Sequence, residues 1–437
     1  MAELEVPEAK AIRKVSLRLI PFLFVLYIAA WLDRVNVGFA ALQMNDALKF
    51  SAAAFGFGSG VFFLGYCLFE VPSNFILHRV GARRWIARIM VSWGIIAVAM
   101  MFVRTPSQFY VLRFLLGVAE AGFFPGVVYY LSYWYPRHHR ARAVGTFMMA
   151  IPVAGFIGGP LSGVLLRLDG VLGLAGWQWL FVLEGLPSVL LGCCAWIYLT
   201  DKPENARWLE PVEKTALIAR LSSEEQEVRE AHAIGALDAL RNPTVWHLGT
   251  IFFLANLGFY GYSIWAPQII KSYVGTSDLT VGVIFGVISA AVVAAMILSN
   301  AHSDRTGERP LHVAFALAIM CCGFAATALL GHSSMAIVFL ALVHLGMGAA
   351  YGPFWSMPTS FLVGEAAAGG IAMVATIVNL SGFVGPTLVG TLKGQTGDYK
   401  TGLLLLGAAA GLGALLALPL RRRAALATGR QVAVVVK

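Results

Sequence analysis

Apolar residues in this chain run together instead of alternating with polar ones, and the runs are long. They cover approximately 17–42, 52–77, 85–103, 109–135, 142–166, 179–199, 245–271, 280–299, 310–330, 336–361, 370–390 and 401–420. A hydrocarbon core of about 30 Å takes a helix of about 20 residues, so each run predicts one membrane crossing. Membrane β-strands would be about half that length and would alternate. The pattern therefore predicts an all-α membrane protein with twelve transmembrane helices. The one long polar stretch, 200–244, divides the runs six and six, giving an N-terminal half (1–199), a linker (200–244) and a C-terminal half (245–437). Leu and Ile spaced among Glu and Arg in the linker predict an amphipathic surface helix serving as a scaffold. Residues 1–16 are polar and lack a short apolar core with a small-residue cleavage site, so the first helix is expected to be retained.

Composition agrees with the pattern: 58% of the 437 residues are hydrophobic, 13% are charged, and mean hydropathy is +0.75. A net charge of +9 would suggest nucleic acid in a soluble protein, but here the basic residues sort by side of the membrane. Lys10, Arg13, Lys14 and Arg18 precede the first span. Arg79, Arg83 and Arg84 follow the second, "RHHRAR" (137–142) follows the fourth, and Arg305 and Arg309 follow the eighth. All fall on one face, which predicts that both termini are cytoplasmic. The expected partner is the lipid bilayer and not nucleic acid. Cys67, Cys193, Cys194, Cys321 and Cys322 lie inside spans, where they act as small apolar residues. No nucleotide motif, metal-ligand cluster or matched nucleophile and base accompanies the spans, so neither enzyme chemistry nor a cofactor or metal is expected.

The halves repeat. "HRVGARR" after the second span recurs as "DRTGERP" after the eighth, with Arg79 and Arg305 226 positions apart; "GFIGGPLSG" recurs as "GFVGPTLVG", with Pro160 and Pro386 at the same displacement. Parallel six-helix repeats build transporters that rock one half against the other about a site at mid-membrane. The small residues Gly155, Gly159, Gly163, Gly382 and Gly385 are expected to pack helices closely.

Few charges lie at depth: Asp33, Arg34, Arg113 and Glu120, with Glu70 and Glu184 nearer span ends. Unpaired, the first four would cost about 10–14 kcal/mol, at roughly 2.5–3.5 each. They must face one another or water. Asp33 and Arg34 are neighbours turned about 100° apart, able to flank one cavity; Arg113 and Glu120, seven apart, share a helix face about 10 Å from each other. A cation beside a deeper carboxylate suits an anion site with a titratable group. Burial favours protonation of a carboxylate and a nearby arginine opposes it, so occupancy of the arginine can couple substrate to proton. A static ion-pair network among the four is the alternative. At the 226-residue displacement Arg34 meets Tyr260, Arg113 meets Phe339 and Glu120 meets Gly346, so the second half lacks these charges. It offers a hydrogen-bonding wall: Tyr260, Tyr262, Gln268, Tyr351, Ser356, Thr359, Asn379 and Ser381. Tyr66 and Trp31 could join from the charged side. Glu70 and Glu184 are expected to cap, anchor or gate, and His344 to be a neutral histidine satisfied by a carbonyl.

The segments "NFILHRVGARR" (74–84) and "NAHSDRTGER" (300–309) resemble the loop signature G-x-x-x-D-R-x-G-x-R-R of the major facilitator superfamily. "LDRVNVGFA" and "RFLLGVAEAGFFPGVVYYLSYWYP" (113–136) resemble its anion:cation symporter family, with bacterial sugar-acid, tartrate and aromatic-carboxylate permeases among its members. The resemblance implies the major facilitator fold in a bacterial inner membrane, as a monomer. It implies proton-coupled symport of a small organic carboxylate into the cytoplasm, with an organic-anion exchanger or facilitator as the alternative. By motif it implies that Asp33 and Glu120 carry the protons. Substrate is expected at Trp31, Arg34, Tyr66, Arg113, Tyr260, Ser356 and Asn379, and a cytoplasmic gate at Arg79, Gly81, Asp304, Arg305 and Gly307. His78 replaces the signature aspartate and Asn74 its first glycine, whereas Asp304 keeps the acid in the second copy. "MMAIPVAGF" (148–156) and Trp31 suggest an aromatic cavity suited to a compact or aromatic carboxylate more than a long polyol acid.

Overall fold

The computed structural model describes residues 2–230, 241–331, 333–361 and 365–435, most of them helical. The first half contains α1 (Ala2–Leu48), α2 (Ala52–Val80), α3 (Ala82–Ala99), α4 (Pro106–Glu120), α5 (Phe123–Ser132), α6 (Arg137–Met148), α7 (Ala150–Leu165) and α8 (Gly176–Tyr198). The linker contributes α9 (Pro211–Glu230), and its residues 231–240 lie outside the described residues. The second half contains α10 (Pro243–Val274), α11 (Asp278–Thr306), α12 (Arg309–Leu330), α13 (Ala336–Phe361), α14 (Glu365–Thr396) and α15 (Lys400–Val435).

Eleven stretches among the described residues are long and apolar enough to cross a bilayer. The remaining expected crossing is α10, long enough at 32 residues but diluted in hydropathy by Asn256, Tyr260, Tyr262 and Gln268. Its Asn256, Tyr262 and Trp265 are buried against other helices, so its setting is protein and not lipid. The fourth run corrects the sequence reading. It is two helices, because Ala121 leaves helical geometry (φ −53°, ψ 129°) and Gly122 turns left-handed (φ 86°). That conformation costs glycine little and other residues more. Ser73 Oγ of α2 caps the freed carbonyl of Ala121 at 2.6 Å.

The repeat is carried into the caps. Ser51 starts α2 by accepting from the backbone N–H of Ala54 (3.1 Å), and Ser277, 226 positions on, starts α11 by accepting from Thr280 (3.3 Å). The same two helices end at Gly81 (φ 95°) and Gly307 (φ 68°), again 226 apart, each closing a 2.9 Å hydrogen bond to the carbonyl four residues back.

The halves meet along two equivalent seams, α2 with α14 and α7 with α11. Gly56 faces Gly390 and Pro386, and Gly60 faces Phe383; Gly282 faces Gly159, and Gly286 faces Pro160. These small residues let backbones touch. At the membrane face opposite the basic loops, polar links join the ends of α1, α10 and α11: Gln43 to Asp278 (3.0 Å), Asn45 to Gln268 (3.3 Å) and Lys271 to the Leu42 carbonyl (3.4 Å). The halves are sealed at that face. On the basic face α9 docks on α1, burying Ala216 and Leu217, with Lys14 bridging Glu210 (3.0 Å) and Glu213 (2.8 Å).

Candidate functional site

Arg34 projects from the middle of α1, and its Nη2 forms an ion pair with Oε1 of Glu120, the last residue of α4. The helix break therefore falls directly behind the carboxylate. Gly117, one turn earlier, lies so close to the Phe62 carbonyl of α2 that no side chain would fit. Glu120 is thereby held against α1 and α2, with 3% of its side chain exposed, whereas Arg34 keeps 12% open. The guanidinium carbon lies 5.3 Å from the rings of Trp31 and Tyr66 and 5.4 Å from that of Phe62, within cation–π range. Tyr27 and Tyr260 also lie within electrostatic reach. A guanidinium has five N–H donors, and Arg34 Nε is buried without an acceptor. The group can take a second anion on its open edge.

The other charges at depth do not join this pair in one network. Arg113 is 1% exposed, donates from Nη2 to the Ser59 carbonyl (3.2 Å), and its guanidinium carbon lies 4.9 Å from the centre of the Phe62 ring. Asp33 turns into the first half, where Oδ2 accepts from Trp93 Nε1 and Ser188 Oγ, each at 2.7 Å. Arg34 and Glu120 are brought together; Asp33 and Arg113 hydrogen-bond to separate partners, although Arg113 shares the Phe62 ring with Arg34 and lies within electrostatic reach of Glu120.

A cavity lies between the halves beside the pair. It is lined by Trp31 and Val35 of α1, Met148 of α6, Ile151, Pro152 and Gly155 of α7, Asn256, Tyr260 and Ser263 of α10, Phe285 and Ser289 of α11, and His344 and Tyr351 of α13. Trp31 and Tyr260 belong to both the cavity wall and the surroundings of Arg34. Trp31 stacks on Phe259 with ring centres 6.4 Å apart, and Tyr260 packs on Phe63 at 4.6 Å across the interface. Along α11 its lining runs from Phe285 to Met296, toward the basic end of that helix.

His344 departs from expectation. Its Nδ1 is buried without a partner, and its ring sits among Phe259 (5.9 Å), Tyr262 (5.3 Å) and Phe285 (5.5 Å), because rings and not carbonyls surround it. Asn379 is tied to a residue expected only to cap or gate: its Nδ2 donates to Glu70 Oε2 across the interface at 3.3 Å. The Ser356 hydroxyl bonds its own helix at the Gly352 carbonyl (3.0 Å), while the Ser356 carbonyl accepts from Arg309 (2.9 Å).

At the basic face, Arg79, Asp304 and Arg305 are exposed and form no ion pair among the described residues. Gly81 and Gly307 shape the two turns. The links there run from signature residues to partners outside the signature: Arg83 with Asp201 of the linker (3.4 Å), and Glu308 with Arg421 of the second half (3.4 Å). His78, at the signature's aspartate position, packs against Tyr129 with ring centres 4.0 Å apart and the planes tilted by 52°.

Residues 23–386 match the model of the Major Facilitator Superfamily. The chain is 47% identical over 418 residues to an Agrobacterium vitis protein named, provisionally, as a tartrate transporter, covering 95% of this chain and 96% of that one. It is 41% identical over 399 residues to a quinolone resistance transporter of Acinetobacter baumannii, covering 91% and 92%. Among solved structures, the xylose transporter XylE from E. coli, in a partially occluded inward open conformation, matches with a TM-score of 0.74 at 14% identity, over 92% of this chain and 97% of that one.

Proposed function

The chain belongs to the major facilitator superfamily and is a membrane transporter, and from that premise we propose that it carries a small organic carboxylate into the cytoplasm together with protons. The tartrate name of the most extensive relative above supports the organic-acid class. The observation that carries the reading is the Arg34–Glu120 pair, partly exposed on the arginine side only and set beside the cavity between the halves through Trp31 and Tyr260.

The chemistry follows from competition. Without substrate, Glu120 neutralises Arg34. A substrate carboxylate entering past Trp31 and Tyr260 takes the free edge of the guanidinium and weakens its hold on Glu120. An ionised Glu120 would then be a buried charge without a full partner, which a proton from water neutralises. Anion and proton thus enter together and leave together. With the basic loops cytoplasmic by the positive-inside rule, the sealed face is outward and the site opens inward. Rocking along the glycine seams would exchange the open side.

The test uses the full chain in proteoliposomes with labelled tartrate and an imposed proton gradient. Symport predicts accumulation above the external concentration that collapses when the gradient is dissipated. Arg34→Ala should abolish both uptake and the thermal shift that ligand gives the purified protein. Exchange for an internal anion that ignores the proton gradient would instead establish the second reading, an organic-anion exchanger or facilitator. The close glycine–proline seam of α7 with α11, which resembles a motif of antiporters, is the feature that favours it.

A further inference from the structure

Asp33 meets a second carboxylate inside the first half that the reading above leaves unused. Glu184 of α8 is 3% exposed; its Oε1 accepts from Ser162 Oγ of α7 at 2.8 Å, and its Oε2 is buried with no partner. Asn36, one turn along α1 from Asp33, lies near both acids: its Nδ2 is 3.5 Å from Asp33 Oδ1, and its amide is within electrostatic reach of Glu184. The groups facing the two acids can be named by element. They are Trp93 from α3, Ser188 from α8, Ser162 from α7 and Asn36 from α1, with Glu120 of α4 as a further negative charge within electrostatic reach of Asp33. Among the described residues no Lys, Arg or His pairs with either acid, since Arg34 is bound to Glu120 and Arg113 to the Ser59 carbonyl.

Two ionised carboxylates in a dry site without a cation repel each other and lose their hydration with no compensation. One proton removes half the charge. It also gives Glu184 Oε2 a hydrogen to donate toward the Asn36 amide, which in turn donates to the ionised partner. We propose that Asp33 and Glu184 hold one proton between them across Asn36, and that this shared proton is one of those travelling with the substrate. The second clause rests on the transport reading above; the first does not.

Infrared spectroscopy of the purified full chain at neutral pH, with Glu184→Gln, Asp33→Asn and Glu120→Gln compared, reads the shared proton directly. Wild type should show a protonated-carboxyl stretch that is lost or shifted in Glu184→Gln and in Asp33→Asn, and unmoved in Glu120→Gln. No such band, or one indifferent to Glu184→Gln, overturns the pair. In proteoliposomes, Glu184→Gln should lower the number of protons moved per substrate relative to wild type, and the Asp33→Asn/Glu184→Gln double variant should lower it no further. An unchanged ratio overturns the coupling role even if the band responds. A band bleached by sodium chloride, with accumulation following a sodium gradient, replaces the proton by a metal cation and overturns the proposal. A wild type that never accumulates substrate under a proton gradient refutes the transport reading, and with it the coupling clause, while the infrared band still decides the pair. Melting of each variant without substrate confirms that the amides fold.

Discussion

Removing Arg34 should make the stability of this protein depend on pH in a way wild type does not. In Arg34→Ala, Glu120 stays buried at 3% side-chain exposure but loses its counterion. Breaking a buried pair costs about 3–5 kcal/mol if the remaining charge stays ionised. Taking up a proton offers a way out: holding protonated a carboxyl whose ordinary value is about 4.3 costs about 3.7 kcal/mol at pH 7, at about 1.36 kcal/mol per unit. The electrostatic penalty at pH 7 is therefore at most about 3.7 kcal/mol. In the variant the folded state binds one more proton than the unfolded state, so stability falls as pH rises and recovers as pH falls. The gap from wild type should narrow by about 1.4 kcal/mol per pH unit below 7 and level off near pH 4.3. What remains there is the lost packing of the guanidinium on Trp31, Phe62 and Tyr66, independent of pH. Thermal melting of the detergent-purified variants between pH 4.5 and 8 measures this, with Arg34→Ala/Glu120→Gln as the control in which the pH-dependent part disappears. A gap that stays constant with pH, or a double variant no better than the single, would refute the pairing argument.

Three other perturbations probe separate parts of the account. A Cβ at Gly38 of α1 would lie 2.6 Å from the Ile264 carbonyl of α10, so Gly38→Ala should hinder closure of the sealed face and raise cysteine-labelling rates there, with ligand binding retained; unchanged labelling would contradict the seal. His344→Phe removes a nitrogen that has no partner, so the unliganded protein should melt no lower than wild type, within about 1 kcal/mol, while the thermal shift with substrate weakens; a large loss of stability would mean that Nδ1 is satisfied. In the linker, burial pushes the Glu213 carboxyl up, but hydrogen bonds from Lys14 and the Glu210 backbone outweigh it and hold the group below its ordinary 4.5. Docking of α9 is thus supported above pH 4.5 and lost as pH falls through the lowered value, which limited proteolysis of the linker at pH 7 and at pH 3.5 will detect.

The sequence was most legible where one physical constraint dominates. Run length marks twelve crossings, α10 among them although Asn256 and its tyrosines dilute its hydropathy, and the 226-residue displacement pairs the two halves. The same displacement places the matched caps Ser51 with Ser277 and Gly81 with Gly307. The break after Glu120 was less visible, because apolar residues continue through it and only Gly122 marks it. Helix spacing placed Asp33 and Arg34 about 100° apart but could not say which neighbour each would meet; Trp93 and Ser188 draw one inward while Glu120 holds the other at the cavity. Glu184 reads as a residue near a span end until tertiary packing sets it opposite Ser162 and Asn36. His344 is the converse case: a carbonyl partner is the ordinary outcome for a buried histidine, and here aromatic rings occupy that space.

The central claim is that substrate and Glu120 compete for Arg34 and that a proton settles the competition. Purified protein in weakly buffered solution, titrated with tartrate while pH is recorded, tests it without any membrane gradient. Proton uptake should saturate with binding in wild type and be abolished in Glu120→Gln while binding persists. Saturable binding with no change in pH, or the same uptake in Glu120→Gln, would contradict it.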